Sequence, residues 1–138
     1  PHTWLADWGD MVRSLVNVAG EKERELSRVQ VDGDVFRAVA RGFLSTAREV
    51  TPAEIDLMVD APQIIALELG LRFLTDYLRG DSYFKLGRAD PPDLNRVRAM
   101  AQLSLFRRLR ERADEAGKFI EDLRGEFLAP PPSDPQES

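Results

Sequence analysis

Apolar side chains recur along this chain at intervals of three and four residues, the spacing of one face of an α-helix. Met11, Val12, Leu15, Val16 and Ala19 follow Gly9 and Asp10 in this way, and Gly20 stands where a glycine stops a helix. Asp7, Gly9 and Asp10 read here as a tight turn, with Asp10 as the helix N-cap. The charged stretch 21–28 and the short Val29-Gln30-Val31 then form a connector, too brief for a sheet strand. From Asp34 to Arg48, Val35, Phe36, Val39, Ala40, Phe43, Leu44 and Ala47 define a second helix. Thr51-Pro52-Ala53-Glu54 supplies an N-cap hydroxyl, a proline at the first helical position and a glutamate three residues past the cap, so a third begins there. Ala61-Pro62 is expected to end or kink it, because proline removes a donor and restricts the residue before it.

Ile64, Leu67, Leu71, Leu74 and Leu78 step by three and four, with Ile65, Leu69, Phe73 and Tyr77 widening the stripe, which predicts the central and most buried helix. Its polar line is Glu68, Arg72, Asp76 and Arg79, and Gly80-Asp81 breaks it. After a loop through Tyr83, Gly87 and Pro91-Pro92, Asp93 caps a long last helix carrying Leu94, Val97, Ala101, Leu105 and Leu109, continuing to Phe127 with a weak point at Gly117. The proline-rich end reads as a flexible tail. The pattern therefore predicts an all-α fold of five or so helices, a helical domain over 1–128 and a disordered tail over 129–138.

Composition narrows the chemistry. In 138 residues there is no cysteine and one histidine, His2, so neither thiolate chemistry nor a histidine-based triad or metal site is available, and no catalytic or metal-binding residue is assigned. A formal net charge of −5 speaks against binding nucleic acid, the arginines at 107, 108, 110 and 112 notwithstanding. No run of apolar residues is long enough to predict a membrane span, and a cytoplasmic location is expected. Trp4 and Trp8 close behind Pro1 suggest a core whose other half lies elsewhere.

Two constellations carry candidate chemistry. Asp7-Trp8-Gly9-Asp10 has the look of the metal-holding Asp-Phe-Gly of protein kinases, but no glycine-rich phosphate loop, lysine-bearing strand or His-Arg-Asp loop accompanies it. In the segment Arg72 to Lys85, Arg72 is either paired with Glu68 and Asp76 or turned toward a cleft with Tyr83, where a guanidinium and a ring suit a sugar. Asp76 and Asp81 are secondary candidates for the same site.

Arg72 to Lys85, of the form R-F-L-T-D-Y-L-x-G-D-x-Y-F-K, with Leu94-Asn95-Arg96-Val97-Arg98 and with Asp7-Trp8-Gly9-Asp10 followed by Arg13, resembles the aminoglycoside phosphotransferase-like kinases, in particular their N-acetylhexosamine kinase branch. The resemblance spans about residues 7–110 and implies the helical C-lobe portion of a protein-kinase-like fold. It implies that Arg72 and Tyr83 contact a sugar acceptor and that Asp7 is structural rather than a metal ligand. ATP and Mg2+ would belong to the full-length parent and its missing N-terminal lobe, so this chain alone binds no cofactor and transfers no phosphate. Trp8 in place of phenylalanine, Ser82 in place of valine and Asp93-Leu94-Asn95 in place of Asn-Leu-Asp depart from the usual pattern. The alternative reading is a stand-alone helical interaction module without catalytic activity.

Overall fold

A computed structural model describes residues 3–46 and 50–128, so Pro1, His2, Ala47, Arg48, Glu49 and the tail over 129–138 lie outside the described residues. Among the described residues five helices follow one another: α1 (Thr3–Val16), α2 (Gly33–Thr46), α3 (Pro52–Leu78), α4 (Leu94–Glu111) and α5 (Ala113–Leu128), with a 3-10 turn at Leu26–Arg28. Among the described residues the fold is all-helical, its sole β pairing a single bridge between Asn17 and Val31. No described helix is long and apolar enough to cross a membrane.

The helices divide the chain differently from the expected scheme. α1 starts at Thr3 and runs through Asp7, Gly9 and Asp10, which are therefore neither a turn nor a cap. Asp10 is exposed and pairs with Arg13 at 2.8 Å, while Gly9 is buried where α1 crosses α3: a Cβ there would lie 2.7 Å from Ile65 Cδ1. The glycine serves close approach of two helices, not a bend. α1 ends at Val16 because Asn17 folds back, its side chain accepting from the Ala19 N–H at 3.1 Å and donating to the Gly20 carbonyl at 3.2 Å.

Thr51 and Glu54 form the expected reciprocal capping box, but the helix they begin does not stop at Pro62. α3 continues for 27 residues with Pro62 buried inside it, and the Met58 carbonyl that loses its helical donor to the proline takes the indole N–H of Trp8 instead, at 2.8 Å. Conversely, the expected long last helix is two: it breaks at Arg112, not at Gly117. Arg112 donates to the Val31 carbonyl at 2.8 Å and to both oxygens of Glu115, and Gly117 sits inside α5 beside Val59 of α3.

α3 is the central helix, packed chiefly against α4 and α1 and more lightly against α5. Its core face is not the leucine stripe. Met58, Ala66, Gly70 and Phe73 are buried, whereas Leu57, Ile64, Leu71 and Leu78 are exposed. Small residues win the interior because they let α4 approach; a Cβ on Gly70 would meet Leu103 at 3.0 Å. Trp8 is fully buried, in contact with Phe36 and Phe43, and Trp4 stacks on Phe43. Both tryptophans thus belong to this chain's own core and do not by themselves point to a missing half.

Candidate functional site

The site is built at the C-terminal end of α3. Arg79 caps the helix, and Gly80 (φ 89°) and Asp81 (φ 61°) follow in the left-handed region. The Gly80 N–H donates to the Tyr77 carbonyl and the Asp81 N–H to the Asp76 carbonyl at 2.8 Å, the paired closure in which the chain reverses over the last turn. Gly80 is needed there because a side chain is strained at that φ.

Asp76 fixes what comes next. Its carboxylate, 6% exposed, accepts the Tyr83 N–H on one oxygen and the Phe84 N–H on the other, both at 2.9 Å. Two main-chain donors satisfy a charge that would otherwise be costly to bury. Phe84 then packs on Phe73 with ring centroids 4.5 Å apart, and Tyr83 stands edge-on to Phe84 at 4.9 Å. The buried Asn95 of α4 donates to the Phe84 carbonyl at 2.8 Å and to Asp81 Oδ1 at 3.0 Å, and accepts from Arg98, whose guanidinium lies 5.6 Å over the Phe73 ring. The segments 72–85 and 94–98, separate in sequence, are one hydrogen-bonded unit.

Above this unit Arg72 places its guanidinium 5.6 Å from the Tyr83 ring centre and 5.8 Å from that of Phe84. It is exposed and has no carboxylate within ion-pair reach among the described residues, so the pairing with Glu68 and Asp76 does not form. Tyr83 is 70% exposed. Between them opens a cleft of about 530 Å³, lined on the helix side by Glu68, Leu71, Arg72, Thr75, Asp76 and Arg79 and on the loop side by Ser82, Tyr83 and Phe84. A second cavity, between α2, α4 and α5, holds about 40 Å³, too little for an organic ligand.

Of the expected site residues, Arg72, Tyr83 and Asp76 come together, Asp76 as the anchor of the loop rather than a free acceptor. Asp81 lies outside the cleft lining, its carboxylate turned to Asn95. Asp7 and Asp10 sit on the exposed side of α1, and among the described residues no three acidic or histidine side chains gather in a way that could hold a metal ion. Thr75, Arg79 and Ser82 line the cleft without having been singled out as ligands; the i, i+3, i+7 spacing of Arg72, Thr75 and Arg79 on one helix was the available signal. No protein-family model matches the chain.

Proposed function

We propose that this chain is the substrate-binding part of a small-molecule kinase and receives a sugar or amino sugar in the cleft at the end of α3, with ATP and Mg2+ bound by another part of the kinase polypeptide. The observation that carries the reading is the meeting of Arg72 and Tyr83 beside an open cleft, on a loop pinned by Asp76 and Asn95. The guanidinium offers a fork of donors to ring hydroxyls, and the exposed tyrosine offers an apolar face and one hydroxyl. The likeness of residues 72–85 and 94–98 to the N-acetylhexosamine kinases supports the same assignment.

Titration of the isotope-labelled chain with a panel of hexoses and hexosamines tests it. Amide signals of residues 72–84 should shift, and Arg72→Ala or Tyr83→Ala should weaken binding about tenfold, the worth of about one hydrogen bond. The chain mixed with ATP, Mg2+ and sugar should yield no sugar phosphate. A panel that leaves the cleft signals unmoved, or variants that bind as the parent does, would end this reading.

One observation favours the reading as a helical interaction module. Leu57, Ile64, Leu71 and Leu78, each seven residues from the next, are exposed along one side of α3. That stripe suits a partner helix. Sedimentation with and without Ile64→Lys, together with a sugar titration that fails, would put it first.

A further inference from the structure

The cleft lining carries two arginines and two acids. Arg72, Thr75 and Arg79 form one row on α3, at i, i+3 and i+7, covering about 10 Å of helix. Neither guanidinium meets a carboxylate within 4.0 Å among the described residues, although nine other arginines do. Against them stand two acids. Asp76 is buried, and each of its oxygens already accepts a main-chain N–H, from Tyr83 and from Phe84. Glu68 is exposed at the far end of the row, one turn before Arg72. The carbonyls of Thr75, Asp76 and Tyr77 accept from the Arg79, Gly80 and Asp81 N–H groups, so these three do not compete for Arg79. Ser82 adds a hydroxyl from the loop.

We infer that the Arg72–Thr75–Arg79 row binds an anionic group, a carboxylate or a phosphate, carried by the sugar that the cleft takes. The inference rests on the sugar-binding reading above and narrows it: sugar acids and sugar phosphates are preferred, and sugars bearing a free ammonium are disfavoured. Guanidinium groups hold such oxygens through two parallel charge-assisted hydrogen bonds, and a hydroxyl between them adds a third donor. In an open cleft this attraction is weakened by salt, since the charges are exposed.

The test is a set of titrations of the full chain with glucose, glucuronate, glucose 6-phosphate, glucosamine and inorganic phosphate, at low and high salt. Glucuronate or glucose 6-phosphate should bind at least about tenfold more tightly than glucose at low salt, and glucosamine more weakly than glucose. Arg79→Gln, at an exposed position with no ion pair among the described residues, should reduce the ratio of anionic to neutral affinity about fivefold. Equal affinity for glucose and both anionic sugars would overturn the inference while sparing the sugar site. An unchanged ratio in Arg79→Gln, or inorganic phosphate binding as tightly as glucose 6-phosphate, would overturn it too. Binding of none of the sugars would remove the underlying reading along with it.

Discussion

The indole N–H of Trp8 donates to the main-chain carbonyl of Met58 at 2.8 Å, within the core. That carbonyl stands four residues before Pro62, which has no N–H to give it, so a side chain from α1 completes the hydrogen-bond ladder of α3. A contact between two helices thereby makes a proline tolerable inside the longest one.

The relationship predicts a coupled pair of substitutions. Trp8→Phe removes the donor, leaves the Met58 carbonyl unsatisfied in the core and should destabilise the chain by about 1–3 kcal/mol beyond the lost ring volume. With Pro62→Ala also present, the main chain gains an N–H at that position that can reach the Met58 carbonyl, so the penalty of Trp8→Phe should shrink by about 1 kcal/mol. Urea unfolding of the two single variants and the double variant measures this coupling. Strictly additive effects would mean that the indole does not stand in for the missing main-chain donor.

Two glycines inside helices should respond in opposite directions to alanine. Gly42 of α2 is exposed and a Cβ there would meet nothing within 4 Å, so Gly42→Ala should gain about 0.5–1 kcal/mol from backbone preference alone. At Gly9 the added methyl would lie 3.0 Å from the main-chain carbon and oxygen of Ala61 as well as 2.7 Å from Ile65. Backbone cannot step aside as a side-chain tip can, and Gly9→Ala should cost about 1–3 kcal/mol despite the same intrinsic gain. Thermal unfolding of both variants decides it; a stabilised Gly9→Ala would show that the α1–α3 crossing is looser than its geometry.

These two cases also show what the sequence could reveal. The helical class, the capping box at Thr51 and the connector after Gly20 depend on local preferences, and all three are present. The boundaries at Gly9 and Pro62 depend on what another helix does at those points, which no window of local sequence contains. Likewise Ile64, Leu71 and Leu78 of the expected stripe have the hydrophobicity of a core, but they are exposed, and Ala66 and Gly70 occupy the interior because α4 needs room. The break at Arg112 did leave a local trace: Arg108 and Arg110 end α4 and Asp114 and Glu115 begin α5, each charge complementing a helix end. At the site, Arg72 and Tyr83 were legible as chemical types. The anchoring role of Asp76 was not, since a buried aspartate and an exposed one look alike in a sequence.

Asp93 illustrates a related substitution of roles with a pH signature. It occupies the N-cap position of α4, yet makes no side-chain cap; its two oxygens take the guanidinium of Arg24, at 2.7 and 2.8 Å. The hydrogen bonds from Arg24 hold its carboxyl at about 2, below the usual 3.8. A lowered folded value means that the pair's contribution is fully present above the unfolded value and is lost as pH falls from about 4 through about 2. Carboxyl titration by NMR should give the low value in the parent and an ordinary one in Arg24→Gln. Because both partners are partly exposed, the connector should loosen in that window without the core unfolding. An ordinary titration of Asp93 in the parent would show that the pair does not persist in solution.

Asp76 links stability to the candidate site most directly. Its two oxygens receive successive main-chain N–H groups, and that arrangement sets Phe84 against Phe73 and Tyr83 under Arg72. Asp76→Asn keeps the shape but replaces one accepting oxygen by an NH2 group, which confronts an N–H it cannot satisfy. The expected cost is about 1–3 kcal/mol. Amides of Tyr83 and Phe84 should exchange faster by more than global destabilisation accounts for, because the loop opens on its own once unpinned. If Arg72 and Tyr83 receive a sugar, its affinity should fall in the same variant because the loop that carries Tyr83 is no longer held. Asp81→Asn isolates the effect: Asp81 accepts a single hydrogen bond, from Asn95, and lies outside the cleft lining. The asparagine keeps an oxygen that can accept from Asn95, so the Tyr83 and Phe84 amides should stay protected. Equal exchange in the two variants would show that Asp76 does not pin the loop.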